Sequence, residues 1–300
     1  MSRELARRET ISGYLFLLPS LLFFLVFVVY PMIMCVFTSL TDATMADGGG
    51  NFIGMTNYVN LFQDPIFIKS LLNTAIIVVV SVPIVCVFSL WVGARIYNMR
   101  TWACSAFRII FYLPVVTGSV AVTVVWKWIY HYYNGVLNYV GTNVGLWQDK
   151  INWLGDPKFA LGCIILILLT TSVGQPIVLY VSALGNVDQT LVEAAQVDGA
   201  GRWKQVLHVT LPCILPMVAV LTVLGLGNIL NAGFEQILIM YNPTVEKTVD
   251  ILDTLVYRLG MTSHQYSAAA AMGLFKSVIS LIFVGTSYLI LYKKSDYRVF

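Results

Sequence analysis

Charge is what this chain has least of. Of 300 residues, 11% are Asp, Glu, Lys or Arg and 58% are hydrophobic, with a mean hydropathy of +0.79. That excludes a soluble domain and describes a multi-pass membrane protein. The five cysteines, Cys35, Cys86, Cys104, Cys163 and Cys213, lie in or beside apolar segments without a Cys-x-x-Cys pair. Neither a disulfide framework nor a metal site is supported, and such thiols pack as small hydrophobes. No Gly-x-x-x-x-Gly-Lys-Ser/Thr phosphate loop occurs, so the chain has no P-loop with which to hydrolyse ATP. A nucleophile–base set and a His-rich metal set are missing too, which argues against a membrane enzyme.

What is present is a series of long apolar runs. Residues 10–41, 70–94, 109–126, 159–187 and 205–234 contain no Asp, Glu, Lys or Arg, and 267–292 contains only Lys276. Each is close to or beyond the ~18–20 residues that cross a hydrocarbon core. Unpaired backbone groups are not tolerated in lipid, so an all-α fold of six transmembrane helices is expected. The first run is longer than a signal-peptide core, and no small-x-small site follows Tyr30-Pro31, so it reads as an uncleaved anchor.

Basic residues set the orientation. Arg3, Arg7, Arg8, Arg95, Arg100, Arg108, Arg202, Lys204, Lys293, Lys294 and Arg298, 11 of the 18 Lys and Arg, fall on one side of such a topology. That side is expected to be cytoplasmic and to hold both termini. Three longer loops face outward. Residues 42–69 carry Gly48, Gly49 and Gly50 and read as mobile at the centre. Residues 131–158 carry Trp147 and Trp153 as candidate interfacial anchors. Residues 232–266 hold Glu235, Glu246, Asp250 and Asp253.

Between the fourth and fifth runs lies a polar insert, Glu193-Ala194-Ala195-Gln196-Val197-Asp198-Gly199-Ala200-Gly201-Arg202-Trp203, followed by Leu211-Pro212. It predicts a helix over 189–197, a break at Gly199 and Gly201, and a second helix from about Trp203. The order and spacing resemble the EAA loop of the permease subunits of ABC importers, the binding-protein-dependent systems of type I fold. The resemblance implies that segment 188–208 docks onto a separate ATPase. It places the matching glycine, Gly199, at the bend and gives Glu193 and Asp198 support of the docking surface. Ala194, Ala195 and Ala200 would permit close approach. Trp203 would offer a large apolar face with a polar edge, or act as an interfacial anchor. Pro212 and Pro216 would bend the start of the fifth span.

Polar residues inside spans mark pathways or interhelical hydrogen bonds. Thr117-Gly118-Ser119, Thr170-Thr171-Ser172 with Gly174-Gln175, and Asn228 with Asn231 are such groups. Similar positions line the cavity in sugar permeases of the family. Ser119, Ser172, Gln175, Asn228 and Asn231 are therefore candidate substrate contacts, with groups that donate and accept as sugar hydroxyls require. Lys276 lies roughly 13 Å from the outer end of its span at 1.5 Å per residue. It either snorkels or faces the cavity, with Glu235 as candidate counter-charge and an anionic sugar as one consequence.

Toward the C-terminus, Asn231-Ala232-Gly233-Phe234-Glu235-Gln236, Asn242-Pro243 and Gly273-Leu274-Phe275-Lys276-Ser277 are similar to the sugar permease branch with LplB-like and MalF-UgpA-like proteins. The expected domains are 1–69 (first helix and outer loop), 70–292 (permease core) and 293–300 (tail). The resemblance implies a second homologous permease subunit, an ABC ATPase dimer and an extracytoplasmic sugar-binding protein as partners. No cofactor is expected on this chain, ATP and Mg being handled by the ATPase. The alternative is an ion-coupled secondary transporter, which would need acidic or His relays and symmetric halves that the spans do not display.

Overall fold

A chain this apolar must pair its backbone amides internally. The computed structural model describes residues 3–43, 50–229, 233–242 and 244–294, and it is built of helices with one bridge, Thr41 to Phe52, among the described residues. In order the helices are α1 (Arg3–Phe24), α2 (Tyr30–Ser39), α3 (Thr56–Gln63), α4 (Pro65–Tyr97), α5 (Thr101–Thr117) and α6 (Ser119–Ile129). There follow α7 (Val136–Val144), α8 (Pro157–Ser172), α9 (Gly174–Gly185), α10 (Gln189–Val197), α11 (Arg202–Gln205) and α12 (Leu211–Ile229). The last are α13 (Phe234–Met240), α14 (Glu246–Val249), α15 (Leu252–Tyr257) and α16 (Tyr266–Lys294). Wider π turns occupy Leu25–Val29, Val206–Thr210 and Arg258–Thr262.

Three continuous stretches have membrane-crossing length and hydropathy, Ser12–Ser39, Pro65–Tyr97 and Tyr266–Leu289. Two helix pairs reach that length and hydropathy only together and are bent at their breaks, α5 with α6 by 99° and α8 with α9 by 41°. With the apolar helix Val206–Thr222 these are compatible with six spans. The third span, expected as one of six helices over residues 109–126, is two helices in the structure, parted at Gly118. Gly118 has φ 84 and ψ 147, outside the helical region and rarely open to L side chains. Pro114, four residues earlier, has already removed an N–H from the ladder.

Two of the π turns, Leu25–Val29 and Val206–Thr210, end two residues before a proline, Pro31 and Pro212. In an α-helix the proline ring meets the carbonyl four residues back. The longer turn, closed by Tyr30 N–H to Leu25 O and Leu211 N–H to Val206 O, relieves that clash. Pro212 thus follows a widened turn, and Pro216 lies inside α12.

The chain divides into two compact units, Met1–Asp64 with Leu255–Phe275, and Pro65–Thr254 with Lys276–Phe300. In the smaller unit, Asn57 Nδ2 donates to the carbonyls of Ser39 and Thr41, both at 2.8 Å, and fixes the chain after α2. The glycine-rich centre of this loop, expected to be mobile, lies largely outside the described residues. In the larger unit α4 packs along α9. Close approach is possible because Gly93 faces the Tyr180 Cβ, where an added Cβ would stand at 3.2 Å, and α5 comes equally near α9 because Gly174 faces the Phe111 carbonyl and has no room for a side chain. Val92, Ile96, Val173, Ile177 and Val181 fill the contact. In lipid such packing, rather than water exclusion, holds helices together.

The segment after α6 is built around Asn138, which is fully buried. Its Nδ2 donates to the carbonyls of Tyr132 (3.0 Å) and Ile151 (2.9 Å). Its Oδ1 accepts from Ile151 N–H (3.1 Å) and Trp153 Nε1 (3.0 Å). Trp147 and Trp153 stack edge to face at 5.4 Å, with Trp147 packed on Gly141. These tryptophans help build the loop's own interior.

Candidate functional site: a capped helix pair and a polar cavity

The insert forms the two helices its sequence predicts. Asp188 begins α10, its carboxylate accepting the Thr190 N–H at 2.9 Å. That backbone bond, with the Thr190 side chain, holds the Asp188 carboxyl below its ordinary value. At the other end Gly199 N–H bonds to Gln196 O (3.0 Å) and Ala200 N–H to Ala195 O (2.9 Å), a Schellman stop. Gly199 has φ 76, which that stop requires. Gln205 Nε2 then donates to Ala200 O at 2.6 Å, tying α11 back to the bend. Gln189 Nε2 reaches the Tyr97 hydroxyl at 3.0 Å and fastens α10 to the end of α4.

One side of α10 rests on the bundle, where Val192 packs against the cluster of Leu184, Val187 and Ile214. Ala195 and Ala200 are half-buried, while Glu193, Ala194, Asp198, Gly199 and Pro212 are exposed. The Trp203 side chain lies outside the described ones. Sequence reasoning missed Val197, which is 88% exposed on this otherwise polar pair. An aliphatic residue next to the αL glycine was the available signal.

Ser172 and Gln175, either side of the α8–α9 break, line a cavity of ≈ 490 Å³. Its wall continues through Ser81, Cys86, Thr171 and Thr222 and the apolar Ile77, Val78 and Leu221. Cys86 Sγ lies 3.2 Å from Thr222 Oγ1, linking α4 to α12. Ser81 Oγ is buried with no hydrogen-bond partner among the described residues. The cavity therefore presents hydroxyl and amide groups in an apolar frame.

Ser119 does not line this cavity. It sits just after the Gly118 break and donates to the Glu235 carboxylate. Asn228 lies in α12 with its side chain outside those described, and Asn231 falls outside the described residues. The counter-charge expected for Lys276 is corrected: its ammonium pairs with Asp253, in the first turn of α15, rather than with Glu235. The two side chains are 12% and 18% exposed. Glu235 borders the fifth apolar run in sequence, but folding brings the 250–254 segment against α4 and carries Asp253 to Lys276.

Membrane-length helices, some broken at glycine, around an apolar cavity set with hydroxyl and amide groups, with a capped helix pair outside the apolar runs, point to a membrane transport subunit. The profile of the family described as "Binding-protein-dependent transport system inner membrane component" matches residues 50–296, and the chain belongs to that family. It is 33% identical over 281 residues to the probable ABC transporter permease protein YurN of Bacillus subtilis (strain 168), covering 92% of this chain and 94% of that protein. It is 30% identical over 274 residues to the polygalacturonan/rhamnogalacturonan transport system permease protein YteP of the same organism, covering 90% and 84%. A chain of the crystal structure of a bacterial alginate ABC transporter in complex with alginate pentasaccharide-bound periplasmic protein matches with a TM-score of 0.89. That match has 30% identity and covers 97% of this chain and 98% of the other. The chain is thus a membrane-embedded permease subunit of an ABC importer and not an enzyme, ATP hydrolysis residing in a separate subunit. The secondary-transporter alternative finds no support in these relatives.

Proposed function

We propose that the chain forms one half of a translocation pathway for an oligosaccharide, driven through α10 and α11. Relatives named for polysaccharide transport and the structural likeness to an alginate transporter chain support the carbohydrate. The hydroxyl and amide lining at Ser172 and Gln175 supports it from this chain's own residues. A second homologous permease would complete the path, an extracytoplasmic sugar-binding protein would deliver the sugar, and an ATPase dimer would use ATP and Mg. The excess of Lys and Arg on the side of the helix pair supports a cytoplasmic position for that pair and both termini.

The observation that carries the drive is the α10–Gly199–α11 bend, pinned to α4 through Gln189 and continuous through 206–210 with the fifth span. Displacement of such a pair moves α4 and α12, which share the cavity wall. Glu193, Ala194, Val197 and Asp198 form the exposed side that an ATPase would meet, with Val197 as the apolar contact. A Cβ on Gly199 meets nothing within 4 Å. Gly199→Asp therefore strains the bend without a clash inside this subunit, and its effect reports on docking. In the reconstituted importer Gly199→Asp should abolish ATP-dependent saccharide uptake, with the ATPase either uncoupled or released. Full uptake by that variant would refute the assignment.

A further inference from the structure

A helix at a protein surface ordinarily turns its apolar side inward and its polar side out. Helix α7 departs from this. At about 100° per residue, Leu137, Asn138 and Gly141 share one side, where Asn138 and Gly141 are buried and Leu137 is half-buried. The other side carries Val136, Tyr139, Val140, Asn143 and Val144, all exposed, with Tyr139 at 70% and Val144 at 68%. Asn143 is the one amide among them, and no residue of α7 is charged. An exposed apolar side of this kind marks a surface that meets a partner or a membrane.

The inward side is occupied within the subunit. Asn138 binds the backbone of Tyr132 and Ile151, and Gly141 leaves room for the Trp147 ring. Leu137 packs against the cluster of Tyr130, Cys163, Ile167 and Met240. Cys163 and Ile167 belong to α8, and residues 130–135 alone join α7 to α6. Helix α7 is thereby held close to the end of α6 and the first turns of α8, beside the bilayer that these apolar helices enter. Its exposed surface also continues onto α6. Val124, Val125 and Trp128 are exposed there, Trp128 stacks on His131 at 5.8 Å, and His131 meets the exposed Tyr133 at 6.3 Å.

We propose that α7 is an in-plane membrane anchor whose Val136, Tyr139, Val140 and Val144 side is seated among phospholipids at headgroup level. The leaflet is the one that the six-span reading places opposite the helix pair. Amphipathic helices take this position with the apolar side turned to the acyl boundary. Trp and Tyr suit it because their rings are apolar and their edges polar. Trp147 and Trp153 are committed to the loop's interior, so Trp128, Tyr133 and Tyr139 fill the aromatic belt instead. Phospholipid is the occupant because the surface runs on from the exposed valines of α6 and offers no charge with which to select a protein partner. Seated there, α7 holds the adjoining ends of α6 and α8 at a fixed depth. Displacement of the helix pair then moves α4 and α12 against a fixed neighbour instead of tilting the whole subunit.

Photocrosslinking in the complete importer tests the anchor. The photoreactive residue p-benzoylphenylalanine replaces Tyr139 or Val144, and the importer is placed in phosphatidylethanolamine–phosphatidylglycerol vesicles with its binding protein present. Both side chains are largely exposed, so the larger ring leaves the loop's interior in place. After irradiation the mass of the subunit should rise by that of one phospholipid at each position. Gln148, exposed but beyond the end of α7, should stay largely unlabelled when it carries the same probe. If one of the two variants fails to assemble, the other poses the same question. Adducts to the second permease or to the binding protein in place of lipid would overturn the proposal. So would the absence of any adduct, which means a side facing water, or equal lipid labelling at Gln148. None of these outcomes depends on which sugar the importer carries.

Discussion

The carbonyl oxygen of Phe111 occupies the space where a Cβ on residue 174 would have to stand. Gly174 is buried and opens α9 just after the break at Val173. Helix α5 approaches α9 to this depth because residue 174 has no side chain. Gly174→Ala should push the helices apart and cost about 1–3 kcal/mol, the range for overpacking a dense contact. A lower Tm of the detergent-solubilised subunit would register it. At Gly162 an added Cβ would meet nothing within 4 Å, so that position should tolerate alanine and serves as the control.

Asp188 caps α10 as a carboxylate, and its folded pKa is lowered relative to its ordinary value of 3.8. A lowered pKa contributes stability that is present above the ordinary value and is lost as pH falls through the folded one. The α10 end should therefore loosen only below about pH 4. Asp188→Asn keeps the cap, because its amide oxygen accepts the same N–H, and removes the pH dependence. Asp188→Ala should loosen the helix at every pH. Hydrogen exchange of the Thr190 and Leu191 amides separates the three cases, with Asn slow throughout and Ala fast throughout.

Asn138 satisfies two carbonyls, one N–H and one indole at once. Asn138→Leu matches its volume but orphans the Ile151 N–H and Trp153 Nε1 in a buried place. The expected cost is about 2–4 kcal/mol from the stranded donors. Asn138→Asp restores acceptance while losing both donations, so it should fall between. Trp153 fluorescence should shift red in the leucine variant as the indole loses its partner and its packing.

What could be read before folding was what neighbours in sequence decide. Residues 189–197 were legible as a helix because its stop, Gly199, and its polar context lie within a few positions, and the structure returns the same bounds. The apolar runs were legible because lipid imposes length. The 99° bend at Gly118 was hidden, since Thr117-Gly118-Ser119 reads equally as a polar lining of a straight helix. The short helices α13, α14 and α15 were absorbed into an outward loop, being too brief to display a period. Lys276 had its partner misassigned because Glu235 is nearer the end of an apolar run, whereas Asp253 arrives through bonds from Asn73 and Thr74 on α4. Ser172 and Gln175 were legible as polar residues in a span, but their shared cavity depends on α4 and α12 coming alongside.

The wide turn at Val206–Thr210 has a consequence in angular register. Each residue of an α-helix advances about 100° around the axis, and a π turn admits one residue more before it closes. Side chains from Leu211 onward are therefore displaced by about one such step from where counting in threes and fours from Arg202 would put them. Pro212 guards the offset, because an ordinary turn there would drive its ring into the His208 carbonyl. Any twist entering at Arg202–Gln205 reaches the fifth span out of phase with the helix that received it, by an angle written into the backbone.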